Sequence, residues 1–262
     1  MKKLIILSFL FLLSCATVPM TGRKQFTAIP SSQMISLSAE SYAEVLSESQ
    51  LSKNTDYVNS VRKVGEKLTA AVEAYLKQNN MQSDTEGYVW QYNVLASEEI
   101  NAWCMPGGQI AFYEGILPVC QDENGIAVVM GHEIAHAVAQ HGNERMSQQL
   151  ALQMGGMALS EALSTQKEET MGLAMLAFGV GAQVGVLLPY SRTQESEADE
   201  LGLYFMAMAG YNPQTAPDFW KRMEAKSSAR PPEFLSTHPD HAKRMDHLNQ
   251  IMPKAMEYYN AR

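Results

Sequence analysis

The feature that most constrains this 262-residue chain is a pair of histidines one helical turn apart. His132, Glu133 and His136 form an HExxH pattern, and helical positions four apart lie on one face. Two imidazoles in this arrangement can bind a single zinc ion through their ring nitrogens. The Glu133 carboxylate then points towards a water on the metal and can accept its proton. The pattern therefore predicts a zinc site with Glu133 as the general base.

The residues around this motif predict a mostly buried helix. Asp122 or Asn124 can cap the start of the helix, and Gly142 is suited to end it. Its apolar positions are Ile126, Val129, Met130, Ile134, Ala137 and Val138. Because buried imidazoles and carboxylates are costly without partners, this setting favours a metal site over a solvent-exposed pair of histidines.

A catalytic zinc site has three protein ligands and an open fourth position. The metzincin pattern would continue with Gly at 139 and His at 142, and this chain differs at both positions. The third ligand therefore comes from elsewhere in the chain. Residues 191–209 predict a second helix, which begins at a capping box of Ser191 and Gln194 and is followed by Gly210.

Four acidic residues lie on this second predicted helix. Glu195 and Asp199 are four apart on one face, which favours Glu195 as the third ligand. Asp199 is then the carboxylate that orients a ligand histidine by hydrogen bonding. Glu197 and Glu200 point elsewhere, and we expect both on a solvent-exposed face.

The segment before the motif predicts two helices and a small sheet. Residues 31–49 are expected to be helical, and apolar residues recur at helical spacing over 54–78. Strands are predicted over 88–95, 102–105 and 109–113, with a Pro-Gly-Gly turn before the last of them.

The last of these strands is the predicted substrate-binding element. We expect Gln109, Ile110, Ala111 and Phe112 to form an exposed edge strand beside the zinc, where an extended peptide can pair through its backbone. The alternative is a strand that is paired on both sides.

Residues 171–188 are apolar and uncharged. This stretch is barely long enough to span a membrane, and Gln183 and several small residues weaken that interpretation. The pattern favours a buried helix over a membrane span.

The N-terminal residues 1–14 are typical of an export signal, with two lysines before an apolar run that is too short for a membrane span. The small residue before Cys15 completes a pattern that resembles a bacterial lipobox, in which the cysteine carries a lipid anchor. We expect 15–30 to be a lipidated tether and 31–262 to be one domain. The residue after the cysteine is not Asp, which predicts a bacterial outer-membrane lipoprotein facing the periplasm.

The net charge of −8, without a basic patch, excludes a nucleic-acid-binding protein. Export permits a disulfide between Cys104 and Cys120, but the sequence does not give the distance between them, so that bond stays open. The sequence also leaves the oligomeric state open.

Several motifs in order resemble the gluzincin metallopeptidases of the CAAX prenyl protease and HtpX family, and most closely the exported branch that includes BepA. They are NAWCMPGGQIAFYEGIL at 101–117, HEIAHA at 132–137, SRTQESEADELG at 191–202, AGYNP at 209–213 and STHP at 236–239. We expect neither the multiple membrane spans of the prenyl protease and HtpX branches nor the helical-repeat domain of BepA. The resemblance therefore gives little support for a prenylated substrate or for partner binding through repeats.

This resemblance implies a zincin-type α+β domain, mostly helical, with a small β-sheet beside the HExxH helix. It also implies that His132, His136 and Glu195 bind one Zn²⁺, with Asp199 behind them. The expected substrates are polypeptides.

We expect His238 to face the zinc, as the matching histidine does in the family. It would either bind zinc as a fourth ligand and close the site, or donate a hydrogen bond to the oxyanion. The third alternative is a helix-capping residue without a catalytic role, since Pro239 is well placed to begin the last helix. His241 and His247 fit that role better.

The predicted function is a zinc-dependent endopeptidase that acts on misfolded or unassembled envelope proteins. The alternative is a periplasmic chaperone or outer-membrane assembly factor with a structural zinc. A structural site would have a fourth protein ligand and no need for Glu133, so the glutamate between the histidines favours the enzyme.

Overall fold

The structure is a computed structural model that describes residues 15–226, 232–238 and 244–261. These residues are mostly helical with two small sheets, which confirms the predicted α+β class. The strands are β1 (Cys15–Thr17), β2 (Lys24–Phe26), β3 (Gln91–Leu95), β4 (Ala102–Met105) and β5 (Gln109–Tyr113). The helices are α1 (Ser31–Glu48), α2 (Thr55–Gln78), α3 (Leu117–Cys120), α4 (Glu123–Val138), α5 (His141–Ala162), α6 (Glu168–Ala182), α7 (Leu188–Met208), α8 (Ala216–Glu224), α9 (Glu233–Thr237) and α10 (Arg244–Asn260).

The predicted capping and stop residues of α4 and α7 are only partly confirmed by the observed helix ends. Asp122 caps α4 by accepting a hydrogen bond from the backbone N–H of Gly125. Gly142 does not end α4, because the chain turns at Gln140 in the left-handed region and Gly142 lies inside α5. Ser191 does not begin α7, since a π-helical turn at Gln183–Leu187 joins α6 and α7 into one helix.

Helix α4 lies at the centre of the fold. Its residues from Gly125 to Val138 are all buried, and it packs against α7, α2 and strand β4. A buried helix with few polar groups is therefore the support for the two histidines, as the apolar pattern predicts.

Strand β5 lies in the middle of its sheet. It pairs in parallel with β3 and antiparallel with β4, and the side chains of Gln109, Ile110, Ala111 and Phe112 are buried. The prediction that these residues form a substrate-binding edge strand is therefore wrong. Three consecutive apolar residues are typical of a strand covered on both faces. The strand at the edge of the sheet next to α4 is β4.

The segment expected to be a tether is partly folded. β1 and β2 form an antiparallel hairpin in which Cys15 pairs with Phe26, and Val18 in its loop is buried in the core. The loop also carries Arg23, which pairs with glutamates of α5 and α7. This segment therefore packs on the domain because its apolar and charged side chains have partners there.

Helices α5 and α6, together with the turn and the first residues of α7 that continue α6, are called the arm. None of the residues 171–190 of this arm is buried. The prediction of a buried helix over 171–188 is therefore wrong. The continuous helix Glu168–Met208 is long and apolar enough to cross a membrane, by length and composition. The exposed large apolar side chains of the arm are Met146, Leu150, Met154, Met157, Leu173, Leu176, Val180, Val184, Leu188 and Tyr190.

Candidate metal centre

Two helices bring the predicted ligands together. His132 and His136 project from α4 with their Nε2 atoms 3.1 Å apart. Glu195 of α7 places its carboxylate oxygens 3.4 Å from Nε2 of His132 and 3.5 Å from Nε2 of His136. All three side chains are buried. The Nε2 atoms and the carboxylate therefore converge on one point.

The spacing of these atoms fits a zinc ion. In a tetrahedral site with Zn–N bonds of about 2.0–2.1 Å, neighbouring ligand atoms lie roughly 3.3 Å apart. Burial opposes ionisation of Glu195, but the hydrogen bond with His132 and nearby charges outweigh it and lower the pKa of the carboxyl group. The donor set is thus two imidazoles and one carboxylate, which zinc accepts.

Glu133 lies beside this cluster with an unsatisfied oxygen. Among the described residues, its buried Oε1 atom has no hydrogen-bond partner, and it lies 3.5 Å from Nε2 of His238. Burial raises the pKa of Glu133 to about 8. A buried carboxyl group with this pKa, next to a metal position, is suited to accepting and returning a proton near neutral pH.

The imidazole of His132 is held from behind by a carboxylate and an arginine. Its Nδ1 atom lies 3.1 Å from Oδ1 of Asp199, and Oδ2 of Asp199 accepts a 2.8 Å hydrogen bond from Nε of Arg244. The Arg244 guanidinium stacks on Trp220 at 3.9 Å from the ring centroid. Asp199 therefore takes the expected position, and Arg244 is a further residue of the site.

The imidazole of His136 is held in a similar way, but its direct partner is another histidine. Nδ1 of His141 lies 2.8 Å from Nδ1 of His136, and Nε2 of His141 lies 3.0 Å from Oε2 of Glu197. The expectation that Glu197 is exposed to solvent is wrong, because the carboxylate is buried against Arg23 of the N-terminal hairpin. Burial lowers the pKa of His141.

His238 lies at the open side of the cluster, directly after α9. Its Nε2 atom belongs to a group of potential ligand atoms that includes His132, His136 and Glu195 and lies within 4.8 Å. Its ring stacks on Phe234 with centroids 4.7 Å apart. Burial lowers the pKa of His238 to about 4, so the ring is neutral. The predicted helix start at Pro239 lies outside the described residues.

The remaining predicted residues lie away from the cluster. Glu200 accepts a hydrogen bond from Tyr204 on the same helix, and His247 contacts the backbone carbonyl of Ser196 at 2.9 Å. His241 lies outside the described residues. Cys104 and Cys120 are both free thiols, so the structure contains no disulfide between them.

Three residues of the site were not recognised from the sequence: Arg23, His141 and Arg244. A third histidine, five residues after His136, is the available signal for His141, since position 141 follows directly on the turn that ends α4. The two arginines carried no local signal, because each meets its carboxylates only through the tertiary fold.

Comparison with known proteins agrees with this geometry. A model of peptidase family M48 matches residues 62–252. The mitochondrial metalloendopeptidase OMA1 of Schizosaccharomyces pombe is 31% identical over 91% of this chain and 66% of its own length. The mitochondrial metalloendopeptidase OMA1 of Homo sapiens is 29% identical over 91% of this chain and 46% of its own length.

A bacterial relative matches a smaller part of the chain. The beta-barrel assembly-enhancing protease of Escherichia coli is 28% identical over 64% of this chain and 36% of its own length. The chain thus spans at most about two thirds of the length of these three relatives. The prediction of a bacterial outer-membrane location is wrong, because the relatives that match nine tenths of the chain are named as mitochondrial enzymes.

Proposed function

Since the chain belongs to peptidase family M48, we propose that it is a zinc-dependent endopeptidase whose metal ligands are His132, His136 and Glu195. The observation that carries this proposal is the buried convergence of the three ligand groups beside Glu133, whose Oε1 atom has no hydrogen-bond partner among the described residues. Glu133 is not needed as a zinc ligand, but a carboxylate at this position is needed to accept a proton from the attacking water.

Zinc bound by these residues would polarise the peptide carbonyl and make water a better nucleophile. Glu133 accepts the proton of the attacking water and then delivers it to the amide nitrogen of the leaving group. Asp199 keeps the His132 ring in place through its Nδ1 atom, and Arg244 in turn holds Asp199 by a hydrogen bond. The surrounding apolar core keeps bulk water away from these buried groups.

The substrate lies along β4 rather than β5. β4 is the edge strand of its sheet, and it packs against α4, the helix that carries Glu133. An extended peptide that pairs with this edge would pass the reactive carboxylate. Backbone pairing confers little sequence preference, so the proposed substrates are misfolded or unassembled polypeptides in extended form.

The proposal also includes a membrane as partner, through a lipid on Cys15. The apolar run over 4–13 before this cysteine favours attachment of a lipid at Cys15. The exposed apolar surface of the arm favours contact with a membrane. Positions 170–191 contain no charged residue, and none of their side chains is fully buried by the described parts of the chain. A helix that is apolar on all sides and not buried in protein is typical of contact with lipid.

The catalytic proposal is tested with Glu133→Gln, which keeps the size of the side chain but cannot act as a base. We expect this variant to fold and bind one zinc per chain, while casein cleavage falls about a hundredfold or more. Glu123→Gln is the matched control, because Glu123 lies on the same helix and pairs with Lys63 at the surface. Cleavage by Glu133→Gln at the control rate would rule out the mechanism.

The ligand assignment is tested by zinc content. Glu195→Gln is expected to lose bound zinc, whereas Glu200→Gln, on the same helix, keeps a full equivalent. Equal zinc contents in the two variants would exclude Glu195 as a ligand.

The membrane proposal is tested in two steps. Radioactive palmitate should label the chain and not its Cys15→Ser variant, with Cys104→Ser as the control. In vesicles of brominated phosphatidylcholine, the added fluorescence of Leu176→Trp on the arm should be quenched, and that of Leu37→Trp on α1 should not. Labelling that survives Cys15→Ser would exclude the lipid site, and equal quenching at the two positions would exclude the arm.

A further inference from the structure

We infer that His141, Glu197 and Arg23 form a positioning chain that holds the His136 imidazole for metal binding, so that the N-terminal hairpin is a working part of the metal centre. This inference rests on the proposed role of His136 as a ligand. It goes beyond that role because it assigns a task to residues that touch neither metal nor substrate.

The hydrogen bonds along this positioning chain determine which ring nitrogen of His141 and of His136 carries the proton. A carboxylate only accepts, so the Nε2 atom of His141, at 3.0 Å from Glu197, must donate. In the neutral ring the Nδ1 atom of His141 is then an acceptor. It lies 2.8 Å from Nδ1 of His136, which must therefore donate. This leaves the Nε2 atom of His136 with a free lone pair, and that is the atom that points into the cluster.

The outer end of the chain fixes the Glu197 carboxylate from the hairpin. Arg23 donates from Nε to Oε2 of Glu197 at 2.8 Å, and Thr21 of the same loop donates to the other oxygen. The guanidinium of Arg23 and the hydroxyl of Thr21 thus both donate to Glu197, and this holds the acceptor of the His141 proton in one orientation.

A second glutamate holds Arg23 in turn. The two terminal nitrogens of its guanidinium donate to the two oxygens of Glu144 on α5, both at 2.9 Å. Glu144 is completely buried and also accepts a 2.8 Å hydrogen bond from Gln194. A bidentate pair of this kind has a defined geometry as well as a favourable energy. The hairpin loop is thus locked between α5 and α7.

The two ligand histidines therefore have parallel supports. His132 is followed by Asp199 and Arg244, while His136 is followed by His141 and then by Glu197 and Arg23. In metal sites such outer partners set the tautomer and the basicity of the ligand, and their loss typically costs about 10–100-fold in metal affinity or activity. The difference is that the second support extends to the N-terminal hairpin.

The test uses His141→Phe, which keeps a buried ring but removes the acceptor for His136. We expect its zinc dissociation constant, measured by chelator competition, to rise about 10–100-fold. The visible absorption bands of the Co²⁺-substituted protein should also shift. His141→Gln restores an acceptor oxygen and should recover most of the affinity. Glu200→Gln on α7 is the control and should bind zinc like the parent chain.

A variant of the hairpin gives a second measurement in case His141→Phe does not fold. Arg23→Gln should weaken zinc binding in the same direction, whereas Lys24→Gln, the next residue along and exposed, should not. If His141, Glu197 and Arg23 had only a structural role, the folded variants would melt at lower temperatures but keep the zinc affinity and Co²⁺ spectra of the parent protein. That outcome would overturn the inference. If the parent chain itself bound no zinc, the proposed function would fail instead, so the two failures are distinguishable.

Discussion

Gly202 of α7 lies directly against the backbone of His132 on α4. A Cβ atom at Gly202 would be 2.6 Å from the backbone nitrogen of His132. The contact is reciprocal, because a Cβ atom at Gly131 would be 2.7 Å from the carbonyl oxygen of Gly202. The two helices therefore cross in backbone contact, one residue from the first histidine of the motif. This close approach brings Glu195 and Asp199 within reach of the histidines.

Replacement of this glycine should disturb both stability and metal binding. In Gly202→Ala the new methyl group meets backbone atoms, which cannot rotate away, so the helices must separate. Overpacking of this kind typically costs about 1–3 kcal/mol, or roughly 3–10 °C in melting temperature for a domain of this size. Calorimetry and zinc content measure the two effects.

The matched control for this variant lies on the arm. Gly179 is also within a helix, but a Cβ atom there would meet nothing within 4 Å. Gly179→Ala should therefore leave zinc binding unchanged and slightly favour the helix. If Gly202→Ala melted and bound zinc like this control, the crossing of α4 and α7 would be wider than described.

The motif itself was predictable because it is local. His132, Glu133 and His136 depend only on helical periodicity and on apolar neighbours, and their family is shown by the match over residues 62–252. The predicted enzyme class and zinc cofactor are confirmed at that level. The BepA-like branch is not distinguished, since matches include both mitochondrial relatives and the Escherichia coli protein.

The wrong predictions concern features that are decided over long distances. The local sequence around Glu197 favours an exposed side chain. It does not reveal the partner Arg23, because that residue lies 174 positions earlier in the chain. The position of β5 depends on its pairing with β3, a contact that no local pattern reveals. An apolar, uncharged helix such as 171–188 has the same sequence pattern whether protein or lipid covers it.

The two internal cysteines should behave as unreactive free thiols. Burial raises the pKa of both Cys104 and Cys120, and the thiolate is the form that reacts with disulfide reagents. In a Cys15→Ser background, we expect negligible reaction with Ellman's reagent in the native state at pH 8 and two thiols after unfolding without reductant. Finding no thiol after unfolding would mean that the two cysteines are bonded in the protein.

Substrate binding along β4 should depend on the backbone of the substrate. A peptide that pairs with the edge of β4 donates and accepts main-chain hydrogen bonds at alternate residues. N-methylation of single amides should therefore raise KM at alternate positions around the cleaved bond, with little effect between them. A uniform effect at all positions would indicate binding through side chains, and β4 would not be the docking strand.

His238 should act as a lock on the metal rather than as an oxyanion donor. Its Nδ1 atom lies 3.2 Å from the carbonyl oxygen of Phe234, which can only accept a hydrogen bond. It also lies 3.0 Å from Oγ1 of Thr237, whose hydroxyl donates to the Glu233 carbonyl and can therefore accept from Nδ1. The neutral ring therefore carries its proton on Nδ1, and Nε2 presents a lone pair to the cluster. A lone pair can bind zinc at the fourth position, where it would exclude the attacking water, but it cannot donate to an oxyanion.

We therefore expect His238→Ala to cleave casein faster than the parent chain at equal zinc occupancy. Each ~1.4 kcal/mol by which the His238 bond favours the closed site would correspond to about a tenfold increase. His247→Ala is the control, because its ring contacts the Ser196 carbonyl instead. A fall of about a hundredfold would make His238 an oxyanion donor after all. Equal rates in the two variants would leave His238 without a catalytic role, and the fourth side of the metal centre would then be open to water at all times.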